Sequence, residues 1–187
     1  NSCICITDGT GAGTMKVLCL AGYGVAYASY LTDVNGILYF FADGFYHQYY
    51  TMPASLLVKT DGTAGGTHLV ADFYTWEYEF SSGGRQITNV NGRVFFSLSN
   101  YGYDNELYTS DGSTAGTQMI NTFNPYGNSN PNYLTAFKGL LYFSANGGNG
   151  TNIWQSDGTD AGTHAVNNSN NIYLDNNTFT RFIIKDN

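Results

Sequence analysis

Three stretches of the chain share one pattern of apolar and polar positions: "LTDVNGILYFFA" (31–42), "ITNVNGRVFFSL" (87–98) and "LTAFKGLLYFSA" (134–145). Each reads as a short strand, a two-residue turn and a longer aromatic strand. Asn35-Gly36 and Asn91-Gly92 accept positive φ readily and suit a type I′ turn; Lys138-Gly139 suits it less well. A second phrase follows each of these stretches and also occurs once near the start. "TDGTGAGTMKV" begins at Thr7, "TDGTAGGTHLV" at Thr60, "SDGSTAGTQMI" at Ser110 and "SDGTDAGTHAV" at Ser156. Apolar residues flank each copy: Ile4 and Cys5, Leu57 and Val58, Leu107 and Tyr108, Ile153 and Trp154 before it, and Val17, Val70, Ile120 and Val166 after it. Apolar runs on both sides of an Asp-Gly turn predict a second hairpin.

The four Asp residues, Asp8, Asp61, Asp111 and Asp157, lie 53, 50 and 46 residues apart. A repeat of that period holding four antiparallel strands is the size of a propeller blade. Gly13, Gly66, Gly116 and Gly162 recur five residues after each Asp. Their regularity suggests a turn whose Asp and Thr side chains bond its own backbone. That structural role is expected for the Asp residues, against a shared calcium or ligand role. The expected fold is all-β: a β-propeller of four repeats of about 47 residues, in one domain over 1–187. The units run about 30–72, 86–121 and 134–166, and the last blade is split, 1–20 with 172–187. The alternatives are an open array cut from a longer one, or a filament in which chains exchange terminal strands.

Composition moves the picture outward from the cell. Charged residues are 11% of the chain, while Gly numbers 23 and Tyr 16, against roughly a quarter charged in ordinary soluble domains. A surface of neutral hydrogen-bonding groups points to an extracellular or cell-surface β-protein. The net charge of −7, without a basic cluster, leaves a nucleic-acid backbone nothing to bind. No apolar run approaches the roughly 18 residues of a membrane helix.

Cys3, Cys5 and Cys19 sit together near the start, without the spacing of a metal site. A hairpin centred on the first Asp-Gly turn sets Cys3 opposite Cys19, so a cross-strand disulfide fits the geometry; three reduced cysteines are the alternative. Enzyme motifs are absent, and no catalytic or metal residues are assigned. His68 and His164 share one repeat position on a solvent face, and His47 stands apart from them.

The segments that interrupt the repeat are rich in aromatic residues: 43–55, 71–86, 100–106 and 124–133. Tyr46, Tyr50, Trp76, Tyr78, Tyr101 and Tyr103 are the candidate binding residues. Aromatic faces beside Asn, Asp and Glu suit sugar rings, and the same composition suits subunit packing. Covering the core is the plainer role. Three sequons, at Asn149, Asn167 and Asn176, are glycosylation candidates.

Together the two phrases resemble the ELWxxDGT repeat of large secreted bacterial proteins, whose units read approximately LT-x-x-NG-x-LYF-x-A and then ELW-x-SDGT-x-AGT-x-LV. The likeness runs through nearly the whole chain, although the Glu survives only at Glu106 and the Trp only at Trp154. The resemblance implies an extracellular propeller-like repeat and brings no catalytic residues. The expected function is therefore non-catalytic: structure, assembly or adhesion through self-association or contact with an extracellular matrix. A carbohydrate-binding module with shallow sites for glycans is the alternative. No cofactor is expected beyond the calcium option at the repeated Asp.

Overall fold

The computed structural model describes residues 3–7, 9–19, 25–46, 52–74, 86–100, 103–120, 124 and 127–166. Within them the chain is all-β. A two-stranded hairpin, β1 (Cys3–Ile6) and β2 (Met15–Cys19), precedes three four-stranded sheets. The first sheet is β3 (Val25–Val34), β4 (Ile37–Tyr46), β5 (Met52–Thr60) and β6 (His68–Tyr74). The second is β7 (Thr88–Val90), β8 (Arg93–Asn100), β9 (Tyr103–Ser110) and β10 (Gln118–Met119). The third is β11 (Asn132–Phe137), β12 (Leu140–Asn146), β13 (Thr151–Ser156) and β14 (His164–Ala165). In every sheet the strands pair antiparallel in chain order, and none of the sheets closes on itself.

The turn between the first two strands of each sheet has one geometry in all three copies. Asn35, Asn91 and Lys138 have φ of 55°, 54° and 46°, and the glycines after them 83°, 85° and 79°. Lys138 thus adopts the conformation that its Asn counterparts favour, at a local cost of about 1–2 kcal/mol for a residue with a Cβ. The Asp33 and Asn89 side chains also accept the Gly36 and Gly92 amides (3.1 and 2.9 Å).

Side chains alternate across each strand, so each sheet has a forward face toward the next sheet and a backward face toward the previous one. The forward face of the first sheet (Val34, Tyr39, Phe41, Leu57, Val70, Phe73) packs on the backward face of the second (Ile87, Val94, Phe96, Leu98, Tyr108). The forward face of the second (Val90, Phe95, Leu107, Ile120) packs on the backward face of the third (Leu134, Leu141, Phe143, Ala145, and Trp154 in part). Phe96 is the pivot of the first junction, with Phe41 at 5.3 Å, Phe73 at 5.8 Å and Tyr108 stacked at 5.5 Å. Each fully buried ring contributes about 1.5–3 kcal/mol from lost water contact alone.

The inner strands are tied as well. Thr32 Oγ1 donates to the Ile87 carbonyl and Thr88 Oγ1 to the Leu134 carbonyl, both at 3.2 Å. These are one contact repeated at two junctions, and they explain the recurring Leu/Ile-Thr pair.

Candidate functional site

The repeated Asp-Gly phrase forms a closed polar network. In the second copy Thr60 Oγ1 accepts the Gly62 amide (3.0 Å) and bonds Thr67 Oγ1 (2.8 Å). Asp61 Oδ1 accepts both the Thr63 amide (2.8 Å) and the Thr63 hydroxyl (2.7 Å). Thr63 Oγ1 accepts the Gly66 amide (2.9 Å), and Thr67 Oγ1 donates to the Thr63 carbonyl (2.7 Å). The copies at Asp111 and Asp157 repeat all of this. The first copy repeats the Thr7–Thr14 and Thr10 contacts; Asp8 lies outside the described residues.

The glycine five residues after Asp is fixed by contact. A Cβ on Gly66, Gly116 or Gly162 would fall 2.0, 2.1 or 2.0 Å from the Oδ1 of Asp61, Asp111 or Asp157. In each turn the hydroxyl two residues after the Asp, followed by its amide, holds the carboxyl below the usual carboxylate range. All three carboxylates are exposed, and one oxygen of each is committed to its own turn. Among the described residues no group of three or more His, Cys, Asp or Glu is placed to hold a metal ion.

The same turns join neighbouring sheets. Gly112 approaches Tyr39 so closely that an added Cβ would lie 2.2 Å from the tyrosine oxygen, and Lys59 Nζ donates to the Gly112 carbonyl (2.8 Å). Burial, with the Asp111 carboxylate beside it, pushes the Tyr39 hydroxyl's pKa up. A Cβ added to Gly158 would likewise lie 2.9 Å from Arg93 Cδ and 3.2 Å from Phe95 Cζ. Tyr39 and Phe95 hold one repeat position, which Tyr142 shares in the third sheet, so the turns of the second and third sheets each dock on the aromatic residue of the sheet before.

Among the described residues that series stops at the third sheet and at the first hairpin. On the forward face of the third sheet Phe137, Tyr142, Ile153 and Val166 are only partly buried, whereas their eight counterparts in the first two sheets are all buried. Phe137 and Tyr142 make an edge-to-face pair at 6.2 Å, with Lys138 Nζ 5.4 Å from the Phe137 ring. On the hairpin, Cys5, Thr7 and Gly9 are exposed, and no atom lies within 4 Å of a Cβ built on Gly9. Their counterparts Ser110 and Ser156 are 0% exposed, and Tyr108 is 7% exposed. Leu31, on the backward face of the first sheet, is 54% exposed, against 6% for Ile87 and 2% for Leu134 at the same position. Phe40, Ala42, Leu56 and Val58 on that same face are buried.

Cys3 is disulfide-bonded, and the strand register sets it opposite Cys19. Cys5 is a free, exposed thiol. Trp76, Tyr78, Tyr50 and Tyr101 lie outside the described residues. Tyr46 ends β4 and Tyr103 begins β9, at the rim opposite the Asp-Gly turns, with side chains outside the description. Asn149 is exposed in the turn before β13; Asn167 and Asn176 are outside the described residues. His68 and His164 are exposed, and His164 bonds Gln155 (3.1 Å).

The segment 124–133, one of the candidate binding segments, is anchored in part where it is described: Asn124, Ser129 and Pro131 are buried, while Gly127, Asn128, Asn130 and Asn132 are exposed. Asn130 donates its amide to the Asn105 carbonyl (2.9 Å), and Ser129 accepts the Asn146 amide (2.7 Å). Ser129 in turn donates its amide to Glu106 Oε1 (3.4 Å), which gives the surviving Glu a structural task. The open aromatic face of the third sheet was missed in the sequence because its residues carry the same letters as buried ones.

Comparison with protein-family models, with curated proteins and with solved structures returned no match.

Proposed function

We propose that the chain is a non-catalytic extracellular repeat protein that works by assembly or adhesion, its units arranged as propeller blades and the split fourth, whose residues 172–187 lie outside the described residues, completed within one chain or between copies. The observation that carries this reading is the pair of half-open faces, on the third sheet and on the first hairpin. They hold the positions that pack together at every internal junction. An array that repeats one junction and leaves both of its halves open is built to continue it. The resemblance to secreted ELWxxDGT repeats, the scarcity of charge and the disulfide at Cys3 agree with an oxidising, extracellular setting. Sedimentation velocity and negative-stain microscopy across a wide concentration range test it. A species that stays monomeric throughout and binds no matrix component overturns the reading.

A carbohydrate-binding role is the second reading. It is favoured by the partly exposed Phe137–Tyr142 pair, flanked by Gln155 on the neighbouring strand. A glycan array with and without calcium tests it, and absence of binding to every sugar removes it.

A further inference from the structure

We propose that the forward face of the third sheet is the seat for the β1–β2 hairpin of a second copy of this chain, so that copies join head to tail. This inference rests on the assembly reading above and names its surface. At the first junction the turn glycine Gly112 lies on Tyr39, and at the second Gly158 lies on Phe95. Tyr142 is the next aromatic residue in that series, and Gly9 belongs to the copy of the turn with open space around it. Docked by the same rule, the Gly9 turn covers Tyr142. Cys5 takes the place that Tyr108 fills at the first junction, and Ile153 becomes buried as Leu57 and Leu107 are. Gln155 occupies the position of Lys59, whose side chain donates to the Gly112 carbonyl. An amide there can make the same bond to the Gly9 carbonyl without burying a charge.

Among the described residues both surfaces are open in one molecule, which leaves the seat free for a hairpin of another copy. The two faces differ, hence the contact is heterologous, and every added copy presents a fresh seat. Low charge at the seat leaves little repulsion to oppose it.

The test uses the free thiol and two variants. In the wild-type chain, labelling of Cys5 by a maleimide slows at least about tenfold between dilute and concentrated protein as assembly proceeds, tenfold marking a protected majority. Ile153→Asp places a charge on the seat, and Cys5→Arg places one on the hairpin. Circular dichroism checks that both fold. Each variant alone sediments as a monomer. Mixed, they form a one-to-one heterodimer and stop, because one intact seat meets one intact hairpin. Assembly that persists in both variants overturns this seat while leaving the assembly reading standing. Slow labelling independent of concentration in a monomer overturns it in favour of closure within one chain. A wild-type chain that is monomeric at every concentration, with fast labelling, overturns both.

Discussion

Gly112→Ala measures how tightly the Asp-Gly turns lock one sheet to the next. The glycine has φ +88°, and an added Cβ would fall 2.2 Å from the Tyr39 oxygen, 3.4 Å from Tyr39 Cζ and 3.5 Å from Lys59 Nζ. Left-handed backbone for alanine costs about 1–2 kcal/mol. Tyr39 is only 5% exposed and cannot swing away freely, so forcing the ring aside adds about 1–3 kcal/mol of overpacking. The expected total is about 2–5 kcal/mol, a large share of the roughly 5–15 kcal/mol that holds a domain folded. Tyr39→Phe removes the oxygen and leaves Cζ at an ordinary contact distance. In that background Gly112→Ala should lose only the backbone term, and the double-mutant cycle should return about 1–3 kcal/mol of coupling. Urea unfolding with unchanged m-values is the assay. Gly158→Ala, against the more yielding Arg93 side chain, should fall between the two cases. Gly9→Ala, with φ +90° and open space, should lose the backbone term alone. An equal penalty with and without the Tyr39 oxygen refutes the docking argument.

Phe96→Ala should lose about 3–5 kcal/mol, read from the urea midpoint, because three rings of the first junction lean on it. Lys138→Asn should gain about 0.5–1 kcal/mol by relieving a left-handed lysine, seen as a raised thermal midpoint. The Asp61, Asp111 and Asp157 carboxyls titrate below their unfolded values, so their contribution is present above the usual carboxylate range and lost as pH falls through the depressed values. Asp111→Asn keeps an acceptor oxygen and removes one titration, so the acid limb of its stability–pH curve should be shallower than that of the wild type; superimposable limbs would contradict the assignment. Reduction of the Cys3 disulfide should raise amide exchange across residues 3–19, since two short strands alone are marginal.

The hairpins were legible because their signals are local. Asn-Gly and Asp-Gly turns, with apolar positions counted outward from them, place the strands from residues 31–42 and 57–70 without reference to the rest of the chain. The Asp-Gly phrase even shows its hydroxyls at the spacing its hydrogen bonds need. Junction contacts are of another kind. Nothing around Gly112 says that Tyr39, far upstream, stops its Cβ, or that Lys59 reaches its carbonyl. Lys138 signals its turn less clearly than the Asn residues, because the sheet on either side imposes a conformation that its own preference opposes. Tyr142 carries the same signal as buried Tyr39, and only the missing neighbour tells them apart. For 124–133 the aromatic letters that interrupt the repeat suggest a binding loop; that its backbone at Ser129 and Asn130 bonds the ends of the third and second sheets is a long-range contact the letters do not carry.

The turn network closes on itself within a few residues, with its paired hydroxyls always seven apart. The difference in spacing between copies therefore falls elsewhere, in the connections at the opposite rim. A gene with this layout can exchange material between its own copies: a crossover inside one phrase joins the front half of one turn to the back half of another and still encodes a complete turn. The number of units can then grow or shrink by whole steps, while the opposite rim diversifies in length and sequence without disturbing the lock between sheets.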